Sequence, residues 1–285
     1  MKTIRPFIRR YSVQTYYALT IVISWGCMLV VMGPGGVLGT ETVAVELLPL
    51  VYLATLLGPS VAGLVLTGLV DGRAGFRDLR SRLFRWRAGI RWYAIALLTA
   101  PILIAATLLL LSLASPKFLP AIVTANDRAS LLSVGIVMGL VVGFFEELGW
   151  TGFAAPRLRQ RYGVLKAGLI LGLLWGLWHL PLFLNGVRSS GPILGFLYLV
   201  VLLFSFLPAY RVLMMWVYDR TGSLLIIMLM HAPLAAGQLI LVPTAISRAQ
   251  FVIYDLVFTA LLWGIVAVVI VVNRSRIGSG VVSMR

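Results

Sequence analysis

Two adjacent glutamates and two histidines interrupt stretches that are otherwise almost wholly apolar: Glu146, Glu147, His179 and His231, with Asp255 further along. The chain has only two histidines, and both lie in such stretches. An ionisable side chain inside an apolar span is costly and marks a site or a buried partner. A carboxylate beside two imidazoles can activate a water and steady a developing oxyanion. Glu146, His179 and His231 would also serve as the ligands of a bound zinc ion, although no His-Glu-x-x-His pairing is present. Zinc is thus a possible cofactor, and none is fixed by the sequence. The two glutamates are neighbours, so a helix points them about 100° apart. One must face the reacting groups and the other a supporting partner. Neither Gly-x-Gly-Asp nor Gly-x-Ser-Gly occurs within a span, so two known patterns for hydrolysis inside a membrane are missing.

Each histidine is followed two residues later by proline, in His179-Leu180-Pro181 and His231-Ala232-Pro233. A proline within a helix lacks its own N–H and crowds the carbonyl four residues back, here Leu177 and Leu229. Carbonyls freed inside a membrane are tolerated where they face protein or a wet cavity. Two His-Pro pairs opposite two carboxylates therefore point to a polar cavity.

The elements that hold these groups follow from the apolar runs. Of 285 residues, 60% are apolar or aromatic and 12% are charged, more apolar surface than a soluble domain could hide. Eight windows are long enough to cross a bilayer: 15–32, 47–70, 92–114, 131–153, 167–184, 192–210, 223–243 and 251–272. They lack the alternation of barrel strands, so the expected fold is all-α, a polytopic membrane protein of eight transmembrane helices forming a single domain over 1–285. Counted from the cytoplasmic span ends, Glu146 lies roughly 10 Å deep, His231 roughly 12 Å and His179 roughly 18 Å. Three helices thus place costly groups in one slab. Asp255 enters from the opposite side and is assigned elsewhere.

The net charge of +15 would indicate nucleic acid on a soluble chain. Here it follows the loops. With the N-terminus inside, cytoplasmic segments carry four basic residues in 2–10, seven in 73–91, four in 157–166, Arg211 and Arg220, and three in 274–285. The other side keeps Lys117, Arg128, Arg188 and Arg248. Positive-inside bias accounts for the charge, so no nucleic-acid partner is expected. The expected location is the cell membrane, multi-pass, with both termini cytoplasmic and the first span an uncleaved anchor. Between the second and third spans, Phe76, Leu79, Leu83 and Trp86 recur at helical spacing among arginines. That fits either a helix in the cytoplasmic interface, its arginines on anionic headgroups, or a topology-fixing loop. The single cysteine, Cys27, leaves no disulfide framework.

The run Glu146-Glu147-Leu148-Gly149-Trp150-Thr151-Gly152-Phe153, with Pro156-Arg157-Leu158 after it, resembles the first motif of the CPBP family, the CAAX prenyl endopeptidases and their bacterial relatives. Trp175-Gly176-Leu177-Trp178-His179 resembles its second motif, and His231 its third, over a core of about 131–240. The resemblance implies an eight-helix intramembrane endopeptidase open toward the cytoplasmic half. It would hydrolyse small membrane-associated or lipidated peptides and proteins. It also implies that Glu146 activates water and that His179 and His231 position that water or the oxyanion. Two positions depart from the family pattern: Thr151 stands where an arginine is usual, and Ala235 where Asn or Asp is usual. Gln238 shares a face with His231, about 10 Å further along the axis. Two other functional readings compete: a non-catalytic scaffold or immunity protein of the same fold, and a proton-coupled transporter, against which the chain shows no repeat symmetry.

Overall fold

The computed structural model describes residues 4–188 and 191–273. Lys2 and the three basic residues of 274–285, used in the charge count, lie outside the described residues. Among the described residues thirteen α-helices follow one another: α1 (Ile4–Arg10), α2 (Ser12–Val37), α3 (Leu48–Val70), α4 (Gly72–Leu83), α5 (Ile90–Ser112), α6 (Ala121–Thr124), α7 (Arg128–Gly149), α8 (Ala155–Arg161), α9 (Val164–Arg188), α10 (Pro192–Val201), α11 (Leu207–Thr221), α12 (Leu224–Leu241) and α13 (Arg248–Val272). No strand occurs among the described residues. Eight segments of the described residues are long and apolar enough to cross a membrane, one for each apolar window of the sequence. Their outward faces carry exposed Leu, Val, Ile and Phe, the surface a lipid environment requires.

Lipid tails are as apolar as leucine, so helices in a membrane associate by close packing, and small residues permit it. Two glycine ladders of period four do this here. On α7, Gly135, Gly139 and Gly143 face α12: a Cβ on Gly139 would lie 2.8 Å from Ala236 Cβ, and one on Gly143 2.7 Å from the Met228 carbonyl oxygen. On α9, Gly168, Gly172 and Gly176 face the chain from Leu203 to Val212, with a Cβ on Gly168 only 2.7 Å from Val212 Cα. The first ladder brings the Glu146–Glu147 end of α7 against the His231 turn of α12. The second lays Trp175 against Arg211 of α11. Both α9 and α12 run on through their prolines, Pro181 and Pro233.

A wider helical turn, Trp150–Ala154, joins α7 to α8 directly after the two glutamates. Such turns displace carbonyls from the regular ladder and are frequent at functional sites. Arg82 occupies the gap, its Nη1 donating to the Thr151 carbonyl at 3.2 Å and its Nη2 to the Gly152 carbonyl at 2.8 Å. The 75–89 segment is therefore helical as far as Leu83, but not all of its arginines face headgroups. Arg82 is buried, and it also donates to Tyr218 Oη at 3.1 Å. Leu79 packs with Leu148, Leu224 and Met228, while Phe76, Phe84 and Trp86 stay exposed.

Candidate active site

Glu146 and Glu147 diverge as neighbours on a helix must, and their surroundings differ accordingly. Glu146 lines a cavity of about 780 Å³ shared with His179. Its Oε2 accepts from the indole Nε1 of Trp175 at 2.7 Å. One turn on from Trp175, His179 Nδ1 lies 2.9 Å from the Trp175 carbonyl oxygen. A carbonyl only accepts, so Nδ1 carries the proton and Nε2 is the free nitrogen. Trp175 thus fixes both groups, one by its side chain and one by its backbone.

Glu147 is wholly buried and does not line the cavity. Its Oε1 lies 2.7 Å from His231 Nδ1 and 3.0 Å from Arg211 Nη1. Its Oε2 accepts from Arg211 Nη1 at 2.9 Å and from Thr151 Oγ1 at 2.5 Å. The indole of Trp175 stands between the two histidines, its ring centre 5.4 Å from His179 and 5.3 Å from His231. The four sequence-nominated residues are therefore brought together in two layers. Glu146 and His179 reach the cavity, and Glu147 holds His231 behind Trp175.

Two assignments made from sequence are overturned. Arg211 was counted as a cytoplasmic loop charge, but it is 1% exposed on α11 and is the cation opposite Glu147. Its guanidinium carbon lies 4.3 Å from the centre of the Trp175 ring, a cation–π contact with the residue that holds Glu146. The signal for it was the Gly168-x3-Gly172-x3-Gly176 ladder, which docks α9 onto α11, with Arg211 Cβ 3.2 Å from a Cβ placed on Gly172. Asp255, assigned elsewhere from its depth, is 2% exposed and lines the same cavity as Glu146. The cavity runs from Glu146 past Val142, Met138 and Val134 toward the chain at Thr42–Val43, the end of α12 and the start of α13, so both carboxylates open into it.

That direction has a consequence for membrane orientation. The cavity lies toward the loops at 38–47 and 242–247, and away from the basic segments 72–89 and 157–166. With a cytoplasmic N-terminus, this cavity extends toward the outer half of the membrane. Among the described residues no three His, Cys, Asp or Glu side chains are grouped so as to hold a metal ion. His231 turns Nδ1 toward Glu147, whose oxygens are occupied by Arg211 and Thr151, and so keeps Nε2 as its uncommitted nitrogen.

Residues 128–236 match the family described as Type II CAAX prenyl endopeptidase Rce1-like. The motif-bearing core is therefore similar to the CPBP family. A relative from Methanococcus maripaludis named CAAX prenyl protease 2 is 26% identical over 183 residues, which cover 62% of this chain. The match spans 65% of that relative's length. The matched segment contains all four residues nominated from the motifs. Its departure at Thr151 is also explained: the threonine hydroxyl and Arg211, from a different helix, together satisfy the carboxylate that the family pattern pairs with arginine on the same helix.

Proposed function

We propose that this chain is an intramembrane endopeptidase of the CAAX-protease type, acting on small membrane-associated or lipidated peptides through a water activated by Glu146. The observation that carries this is the position of Glu146, buried at the end of a cavity, held by Trp175 and beside His179. Water held between Glu146 and His179 Nε2 gives its proton to the Glu146 carboxylate as its oxygen bonds to the peptide carbonyl carbon. The free His179 Nε2 accepts the water's other O–H and so holds its lone pair toward the carbonyl carbon. Glu146 then passes its proton to the amide nitrogen as the C–N bond breaks. Glu147, with Arg211 and Thr151, holds His231 against Trp175 and acts as a positioning group. Purified protein in lipid nanodiscs and a quenched fluorescent peptide library test this reading: cleavage by wild type and not by Glu146→Gln supports it, and equal cleavage by both overturns it.

A second reading rests on one position. Ala235 lies in the cavity wall where the family pattern has Asn or Asp, so the wall lacks a polar group there. A non-catalytic scaffold of the same fold follows if neither form cleaves any peptide.

The basic loops favour cytoplasmic termini. In that orientation the cavity faces the outer side of the cell membrane, and substrates enter from the outer leaflet or the space beyond it.

A further inference from the structure

One carboxylate in the cavity takes no part in this chemistry. Asp255 is 2% exposed, and its Oδ2 has no hydrogen-bond partner. Its companions in the cavity wall are Tyr198, Gln238 and Phe251. Gln238 directs its Nε2 to Tyr254 Oη at 3.5 Å. Arg248, seven residues earlier on α13, lies over the rings of Tyr198 and Phe251 at 4.7 and 5.8 Å, and its charge acts on Asp255 from beyond ion-pair contact. The remaining wall is largely apolar, including Val134, Met138, Leu182 and Phe183.

A buried carboxylate with one oxygen unpaired, opposed only by the charge of Arg248 about two turns away, is costly to retain in an apolar slab and calls for a cation or a strong donor. Its complement in this cavity is an apolar chain carrying one positive group. Along α7 the wall residues Val134, Met138, Val142 and Glu146 recur every fourth position, a length of about 18 Å. That length takes about five residues of extended peptide. We propose that Asp255 is a specificity-determining residue that binds the ammonium or guanidinium of a Lys or Arg side chain, placed within a few residues of the bond presented to Glu146. This proposal rests on reading the cavity as a peptide site.

Binding, measured separately from cleavage, tests it. In the Glu146→Gln protein in nanodiscs, a set of N-acetylated, C-amidated, dye-labelled apolar octapeptides carries lysine or its uncharged analogue norleucine at each position in turn. Fluorescence anisotropy should show the lysine peptide binding at least about tenfold tighter than its norleucine partner at one or two positions. Adding Asp255→Asn should bring the two within about twofold by weakening only the lysine peptide. Asp255→Glu should keep the preference, and so should Arg248→Gln. Unchanged norleucine binding in Asp255→Asn shows that the cavity is intact. Equal binding of lysine and norleucine peptides at every position overturns the proposal, as does a preference that survives Asp255→Asn. If no peptide binds the Glu146→Gln protein, the peptide-site reading fails and the proposal with it; if peptides bind without preference, only the proposal fails.

Discussion

Arg211 Nη1 lies 3.0 and 2.9 Å from the two carboxylate oxygens of Glu147, and both side chains are 1% exposed or less. This ion pair links α11 to α7 beneath the indole that holds Glu146. Breaking a buried pair leaves a lone charge and costs roughly 3–5 kcal/mol, whereas replacing both partners with apolar groups is often close to neutral. Arg211→Met should therefore lower the thermal midpoint of the purified protein sharply. The double variant Glu147→Leu/Arg211→Met should recover much of that loss without recovering turnover. A single variant as stable as wild type would show that the pair contributes little.

The two glutamates should separate by phenotype. Glu146→Gln keeps the shape and the Trp175 hydrogen bond, so the protein should fold and lose roughly 10²–10⁴-fold in cleavage rate. Glu147→Gln leaves Arg211 buried without its counter-charge and should reduce stability as well as rate. Turnover and thermal unfolding measured on the same preparations distinguish them. The reverse pattern, with Glu146→Gln unstable and Glu147→Gln stable but inactive, would exchange their roles.

Thr151→Arg, which restores the usual family residue, should impair this chain. Thr151 is 2% exposed and its hydroxyl already donates to Glu147. A guanidinium placed there would meet Arg211 across one carboxylate. A lower yield of folded protein on size-exclusion chromatography is expected. Removing Arg211 in the same chain, as Thr151→Arg/Arg211→Met, should restore part of it.

The α7–α12 contact should be intolerant of volume. Gly139→Val and Gly143→Val place atoms against the Ala232 and Met228 carbonyls and should each cost about 1–3 kcal/mol or more by overpacking. Gly264→Ala on α13, where a Cβ meets nothing within 4 Å, should be neutral or stabilising. Equal stability of Gly143→Val and Gly264→Ala would contradict the packing.

Orientation is checked by labelling single cysteines, introduced after Cys27→Ala, at the exposed positions Arg77 and Asp127. An impermeant maleimide applied to intact cells should label Asp127→Cys and not Arg77→Cys. The opposite result would place the cavity on the cytoplasmic side and the termini outside.

The amino-acid sequence by itself determined the eight spans, because a bilayer admits only long apolar helices and every residue of a window contributes to that signal. It also determined that Glu146, Glu147, His179 and His231 belong together, since each is costly where it stands. Spacing along one helix was enough to show that the glutamates face apart. The motif resemblance singled out Glu146, but the physical reason that Glu146 and not Glu147 meets the cavity is tertiary, because it depends on how α7 is rotated against α12 by Gly135, Gly139 and Gly143. It alone revealed Arg211 as the partner of Glu147: at the end of an apolar run, a basic residue reads as a loop charge until the docking of α9 on α11 buries it. Asp255 was misplaced for the same reason. Depth along one helix says nothing about the cavity that several helices enclose, and that cavity extends to the turn of α13 where Asp255 stands.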